Sequence, residues 1–322
     1  MINRVKGFIF LLAVIVMLTG CTTEVDQLQD QIDRFIEIGE NYVDGQDFDG
    51  SHSFEKEIES GITEIRIDNN VGKINILGSN KENGEMKITK RVNTRLGNKS
   101  DIERGLDSID VTISEKGDIL TIKAVISKDL NNIFSSRAVD IDLSLPADIK
   151  LIRIENNVGD VTLNDMDVEE ITIKTNVGDT FLINTTVESV DIAGNVGKMN
   201  FYNSLIKGKI KTSTGSITIE KGMLSGSSRV ETSTGSISMT GGLNELGDYY
   251  FSSKTGSILM AINEDFSFNI DAKAGVGSID NNIALDNMRM EKGRLRGSRN
   301  DGKANINITT DVGSIRLIKI NE

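Results

Sequence analysis

The sequence predicts an all-β fold, a single-stranded parallel β-helix or β-roll solenoid of ~20-residue coils, with a β-strand capping insertion and a short N-terminal helix. Four observations carry this. A V-G or T-G element recurs with its glycine at Gly72, Gly159, Gly178, Gly197, Gly215, Gly235, Gly256, Gly277 and Gly313, and the steps from Gly159 to Gly277 are 19, 19, 18, 20, 21 and 21 residues. Five residues before the glycine stand Ile67, Ile154, Ile173, Ile192, Ile210, Val230, Phe251, Ala272 and Ile308, apolar in every copy. Two residues after it the position is apolar in every copy except Thr180. Finally, 31 Gly stand against a single Pro in 322 residues. That ratio suits stacked corners, where Gly takes positive φ and Pro would remove a ladder donor.

Side chains alternate around each glycine, so one face of each short strand is apolar. Such a strand cannot bury that face alone, but stacking coil on coil lines equivalent residues into columns. A further apolar position follows in several coils, at Val168, Val187, Ile206 and Leu224. Asn69, Asn156, Asn176 and Asn195 adjoin the corners and are expected to stack as one amide ladder, with Ser and Thr replacing them in later coils.

The elements follow in chain order. Arg4 and Lys6 precede an apolar run from Phe8 to Leu18 that ends in Leu18-Thr19-Gly20-Cys21. The run is shorter than the ~20 residues of a membrane-spanning helix and suits a signal peptide. The tetrapeptide resembles the bacterial lipobox, whose Cys is acylated, and the chain's one Cys occupies the required position. Residues 1–20 are therefore expected as a lipoprotein signal peptide and Cys21 as the lipid attachment site. This places the protein on the extracytoplasmic face of the cell membrane, with its partner the membrane itself. Acyl chains hold firmly there, at ~0.8 kcal/mol per buried CH₂. Residues 21–44 are expected as a lipid-anchored helical stalk, since Val25, Leu28, Ile32 and Phe35 follow helical spacing. Two heptads fall short of the ~3–4 of a convincing coiled coil. Residues 45–60 read as a polar linker containing His52. Asp47, Asp49 and Gly50 there do not make a calcium loop, because Lys56 stands where the twelfth ligand would be a carboxylate.

Residues 61–322 form the predicted β-helix domain. The 87-residue step from Gly72 to Gly159 holds longer strands at 86–92, 109–113, 119–125 and 139–146, with Gly117-Asp118 as a tight turn. This insertion, about 80–150, is expected to cap the first coil. A basic loop at about 286–303 then interrupts the period. It carries Arg289, Lys292, Arg294, Arg296 and Arg299, a candidate patch for anionic ligands such as wall polymers or lipid headgroups. Its Gly297, Ser298, Asn300 and Gly302 point to a flexible, solvated loop.

The order of features resembles the bacterial "putative adhesin" β-helix family of cell-surface proteins. The resemblance rests on LSLP at 143–146, NVGDVTL at 157–163, TSTGSITI at 212–219 and TDVGSIRL at 310–317, and runs from about residue 60 to the C-terminus. It implies binding at the cell envelope, to polymers or surface proteins, and brings no catalytic motif. The composition agrees. One His and one Cys exclude two-imidazole and Cys-cluster metal sites, so neither metal nor cofactor is expected. A net charge of −12 argues against nucleic acid. An envelope assembly component docking a protein partner is the alternative. A polysaccharide-active enzyme would need paired carboxylates across a cleft. The candidates, Asp140/Asp142, Asp165/Asp167 and the stacked Asp160/Asp179, read more cheaply as strand-surface and turn residues.

Overall fold

In each coil one strand runs into the corner glycine and a second leaves it, as in Asp167–Val177 and Thr180–Ile183 around Gly178. The computed structural model describes residues 50–94, 99–127, 134–244, 246–263 and 265–320, within one unit, Phe48–Glu322. The expected signal peptide, Cys21 and the stalk lie outside the described residues. First strands pair in parallel with first strands, and second strands with second strands. Ile173 stands beside Ile154 on one side and Ile192 on the other, and Thr180 lies between Val161 and Met199. The sheet is open rather than barrel-like, as a β-solenoid requires.

The period-two pattern decides which face is buried. Ile154, Ile173, Ile192, Val230 and Ile308 are each 0% exposed, worth roughly 1.5–3 kcal/mol apiece relative to exposure. The third column, Val168, Val187, Ile206 and Leu224, is buried too, and Leu243 continues it beside Leu224. Thr180 is as buried as its apolar neighbours, and its hydroxyl has no hydrogen-bond partner.

Two constraints make the corner glycine. Gly215 holds φ at 150°, and a Cβ on it would lie 1.8 Å from the Gly197 carbonyl oxygen. Both are prohibitive for an L side chain. The close approach is what lets each corner N–H reach the next rung, as Gly178 N–H does to the Val196 oxygen at 2.9 Å.

The expected single asparagine ladder divides into two columns one residue apart. Asn69 and Asn156 are buried and donate to corner carbonyls; Asn156 reaches the oxygens of Gly72 at 3.1 Å and Gly159 at 2.8 Å. Thr212, Thr232, Ser253 and Thr310 continue that column, donating through their hydroxyls to the preceding corner. Asn176 and Asn195 belong to the next, exposed column, in which Asn195 donates to Asn176 and Asn176 to Asn157. A one-residue shift moves a side chain to the other face.

Chain order and stacking order differ at both ends. The Gly72 coil is flanked on one side by strands Ile119–Ile126 and Phe134–Pro146, on the other by the Gly159 coil. At the far end strand Ala304–Val312 pairs with both Asp248–Thr255 and Phe268–Val276. The Gly313 coil thus sits between the Gly256 and Gly277 coils.

Antiparallel strands adjoin both terminal coils. In the insertion, Ile109–Lys116 pairs with Ile119–Ile126 through the predicted Gly117-Asp118 turn, and Gly84–Thr94 pairs with Phe134–Pro146. Three expectations need correction. Gly50–Ile58 is a strand, antiparallel to Gly84–Thr94, inside the expected 45–60 linker. It reads as a linker because it is an edge strand with one fully buried side chain, Ile58, while His52 faces solvent. A helix not expected from the sequence, Lys99–Asp107, lies in the insertion, where Gly105 permits close packing on Phe134. The expected flexible loop at 286–303 is instead a β-hairpin, Asp286–Glu291 with Arg294–Arg299, added antiparallel to Phe268–Val276. Leu295 anchors it, fully buried opposite Ala272.

Candidate binding surface

The hairpin places the five basic candidates in three different settings. Arg294 and Arg296 share the outer face of their strand and converge on Asp271 across the pairing. Arg294 Nε donates to Oδ1 at 2.8 Å, its Nη2 donates to Oδ2, and Arg296 Nε donates to Oδ2 at 3.3 Å. The Arg294 guanidinium holds the Asp271 carboxyl below the usual carboxylate range, and Arg296 adds to this. Arg289 stands opposite Arg296 on the outermost strand, and Lys292 lies in the connecting turn; both are exposed. Arg299 sits at the other end of its strand, opposite Phe268 and half-buried. The segment therefore displays Arg289 and Lys292 outright, with Arg294 and Arg296 partly neutralised.

Five of the six carboxylate candidates are engaged in holding the fold, and the sixth, Asp167, is exposed at the start of its strand. Asp160 Oδ1 accepts the backbone N–H of Asp179 at 2.8 Å, and Asp179 Oδ1 accepts that of Lys198 at 2.6 Å. Later coils repeat the contact with serine, Ser257 Oγ accepting the N–H of Ser314. Burial pushes the Asp160 carboxyl up, with Asp179 adding repulsion. Asp140 accepts from Arg91 Nη2 at 2.7 Å and from the Lys73 N–H. Asp142 accepts from Asn75, and burial raises its carboxyl as well. Asp165 occupies a second corner at φ 55°, above Asn184 and Asn203 at 48° and 47°. These form a second ladder, Asn203 donating to Asn184 and Asn184 to Asp165. Asn and Asp enter the left-handed region more easily than other side chains. Among the described residues no cluster of three or more His, Cys, Asp or Glu could hold a metal.

Two surface features escaped the sequence reading. On the outer face of the first strands the Arg229 guanidinium lies over the Tyr250 ring at 4.7 Å. Lys209 is on the adjacent rung beside Arg229, and Asn307 on the rung beyond Tyr250. Both Arg229 and Tyr250 stand six residues before their corner glycine, so aligning the outer as well as the inner positions would have paired them. The second is a groove of ≈ 290 Å³ lined by Met223, Gly241, Gly242, Leu243, Ala261, Ile262, Phe266 and Ile320. Its polar side chains are Asn263 and Asp265, so it offers no carboxylate pair. Among the described residues no helix is long and apolar enough to cross a membrane.

Comparison with known proteins identifies the architecture. A crystal structure named "putative adhesin" from Parabacteroides distasonis is similar at 14% identity with a TM-score of 0.50, over 84% of this chain and 97% of that one. One of the same name from Bacteroides fragilis is similar at 14% identity with a TM-score of 0.43, over 84% and 97%. No curated protein matches the chain. The Toastrack DUF4097 family model matches residues 62–318, from just before the first corner glycine to the last strand, and the chain belongs to that family.

Proposed function

We propose that this Toastrack protein is a lipoprotein that works by binding at the cell envelope, without catalysis. Cys21, at the end of the 1–20 signal peptide, carries acyl chains including palmitate. It holds the protein on the extracytoplasmic face of the membrane, with residues 21–44 as the stalk. The solenoid of residues 61–322 is the adhesin-like module, and its antiparallel flanking strands serve as caps. Cofactors play no part, and the partners are envelope polymers or surface proteins rather than nucleic acid.

One observation carries the binding reading. Of the carboxylates that could have served hydrolysis, Asp160 and Asp179 accept corner N–H groups, Asp140 pairs with Arg91, and Asp142 and Asp165 accept from asparagine amides, while Arg289 and Lys292 are displayed at the end of an acidic chain. An anionic polymer would meet a segment of net +3, in which Glu291 and Asp286 offset part of the six cationic charges. Two measurements test this reading. Palmitate labelling should mark the full chain and be lost in Cys21→Ala, which should also leave the membrane fraction. Retention on immobilised heparin should fall in Arg289→Gln/Lys292→Gln and with added salt. An unlabelled chain contradicts the anchor, and unchanged retention contradicts the patch.

A further inference from the structure

The two ends of the solenoid are complementary in strand sense, charge and apolar character, and their steps run in opposite directions. We propose that copies of this chain associate head to tail, the hairpin strand Asp286–Glu291 of one copy pairing with strand Ile109–Lys116 of the next. This goes beyond the proposed function and rests on different observations.

The step comes from the pairing. At the hairpin end the first-strand stack extends two rungs past its last coil, through Arg294–Arg299 and Asp286–Glu291, while the second-strand stack ends at Ile279–Asn281. At the opposite end the projection is reversed. The second-strand stack extends two rungs, Gly84–Thr94 and Gly50–Ile58, and the first-strand stack only one, Ile109–Lys116. The projecting face at one end thus faces the recessed face at the other, with steps of two rungs and one rung, so pairing of the first-strand edges leaves one rung open between the second-strand stacks.

The sense agrees. Strand Asp286–Glu291 runs antiparallel to an antiparallel neighbour and so points along the coil direction, whereas Ile109–Lys116 points against it. Two copies stacked in the same orientation therefore bring these strands together antiparallel, the pairing that needs no crossover. Among the described residues each has a strand partner on one edge only. An open edge is a template for another chain; on Ile109–Lys116 the Ile109 oxygen already accepts Lys90 Nζ at 2.7 Å, so pairing there is with the residues that follow it.

Charge and apolar surface agree as well. Residues 286–303 carry six Lys and Arg against three acids, a net +3. The outermost elements of the other end, Gly50–Ile58, Lys99–Asp107 and Ile109–Lys116, carry a net −3, with Glu103, Asp107 and Asp110 exposed. Met288 and Met290 are 52% and 51% exposed on the hairpin edge, and Met290 extends the inward column of Leu295. Val111 and Ile113 extend the inward columns of Ala124 and Ile122 at the other end and are only partly covered. The contact joins different surfaces of the two copies, so it propagates into a row instead of closing a dimer.

The test uses two differently tagged full-length chains, co-expressed and extracted in detergent, with one tag captured and the other probed. The wild-type chain should capture itself, less so as salt rises. Arg289→Glu/Lys292→Glu should lose self-capture, and so should Asp107→Lys/Asp110→Lys. Neither pair threatens the fold, since all four side chains are exposed and Arg289 already faces Arg296. Co-expressing the two reversed chains should restore capture, because the acidic end of one now meets the basic end of the other. Absence of wild-type self-capture overturns the proposal. So does capture that survives either reversal alone, which would mean shared micelles or a like-end contact. The acidic-end variant also separates this proposal from polymer binding, since it leaves the heparin patch intact.

Discussion

From Gly159 to Gly256 each new coil pairs with the one just made, so every rung is held by chain about 20 residues away in sequence. At either end the chain's own terminal coil lies second in the stack, enclosed by strands made much later or earlier. Strand Glu64–Val71 is paired with Ile119–Ile126, and Ala304–Val312 fills the space between Asp248–Thr255 and Phe268–Val276. A plain solenoid can fray one coil at a time, because each repeat contacts only its neighbours. Here the first and last coils cannot leave without breaking ladders on both edges. The middle is held by repetition, and the ends by long-range closure.

Substitutions can break that contrast, and the largest effect belongs to the middle. Gly215→Val should cost on the order of 4 kcal/mol or more, combining positive-φ strain with backbone collision, and should prevent folding or collapse the urea midpoint. Gly117→Ala, at a turn of φ 63° with nothing within 4 Å of the new Cβ, should cost only ~1–2 kcal/mol. Equal losses would show that the corner carries no packing constraint.

Removing residues 304–320 tests the end. Hydrogen exchange should then lose protection throughout 268–299, because that coil and hairpin reach the stack only through the inserted rung. The Gly178 coil should keep its protection. A smaller change of opposite sign is expected at Thr180→Val, which replaces an unpartnered buried hydroxyl and should stabilise by ~1 kcal/mol.

Acid should separate the regions last and least. Asp271 has a folded-state pKa lowered by Arg294, so its contribution is present above the unfolded value and is lost as pH falls through the folded one. The hairpin amides should therefore lose protection on acidification, and Asp271→Asn should remove that dependence. Asp160 runs the other way. Burial raises its pKa, so its ionised form costs stability once pH rises through the folded value. Asp160→Asn keeps an acceptor for the Asp179 N–H and should raise Tm slightly at neutral pH.

The middle was legible in the sequence because its determinants are local: glycine five residues after one inward side chain and two before another. Even its exception was visible, since Thr180 stood out before its buried hydroxyl was located. Stacking order at the ends was not legible. The step from Gly256 to Gly277 is an ordinary 21 residues although it spans two rungs. Every corner also carries the same V-G or T-G, so nothing local names its neighbour. The hairpin was hidden by Gly297, Ser298 and Asn300, which read as loop, with one buried anchor, Leu295, to reveal it. Of the candidate surface, the basic residues were found, but their partner Asp271 lies in a different strand that no spacing connects to them.

The claim that the last coil is inserted between two earlier ones is tested most directly by disulfide trapping in a Cys21→Ala background. Ser314 N–H bonds Ser257 Oγ at 3.2 Å, and Ser278 Oγ lies 3.2 Å from Ser314 Oγ. Adjacent rungs suit the Cα separation of a disulfide, ~4.4–6.8 Å, and positions two rungs apart do not. Ser257→Cys with Ser314→Cys should oxidise readily, as should Ser314→Cys with Ser278→Cys, whereas Ser257→Cys with Ser278→Cys should stay reduced. A disulfide between positions 257 and 278, with none to 314, would put the coils back in chain order and contradict the account.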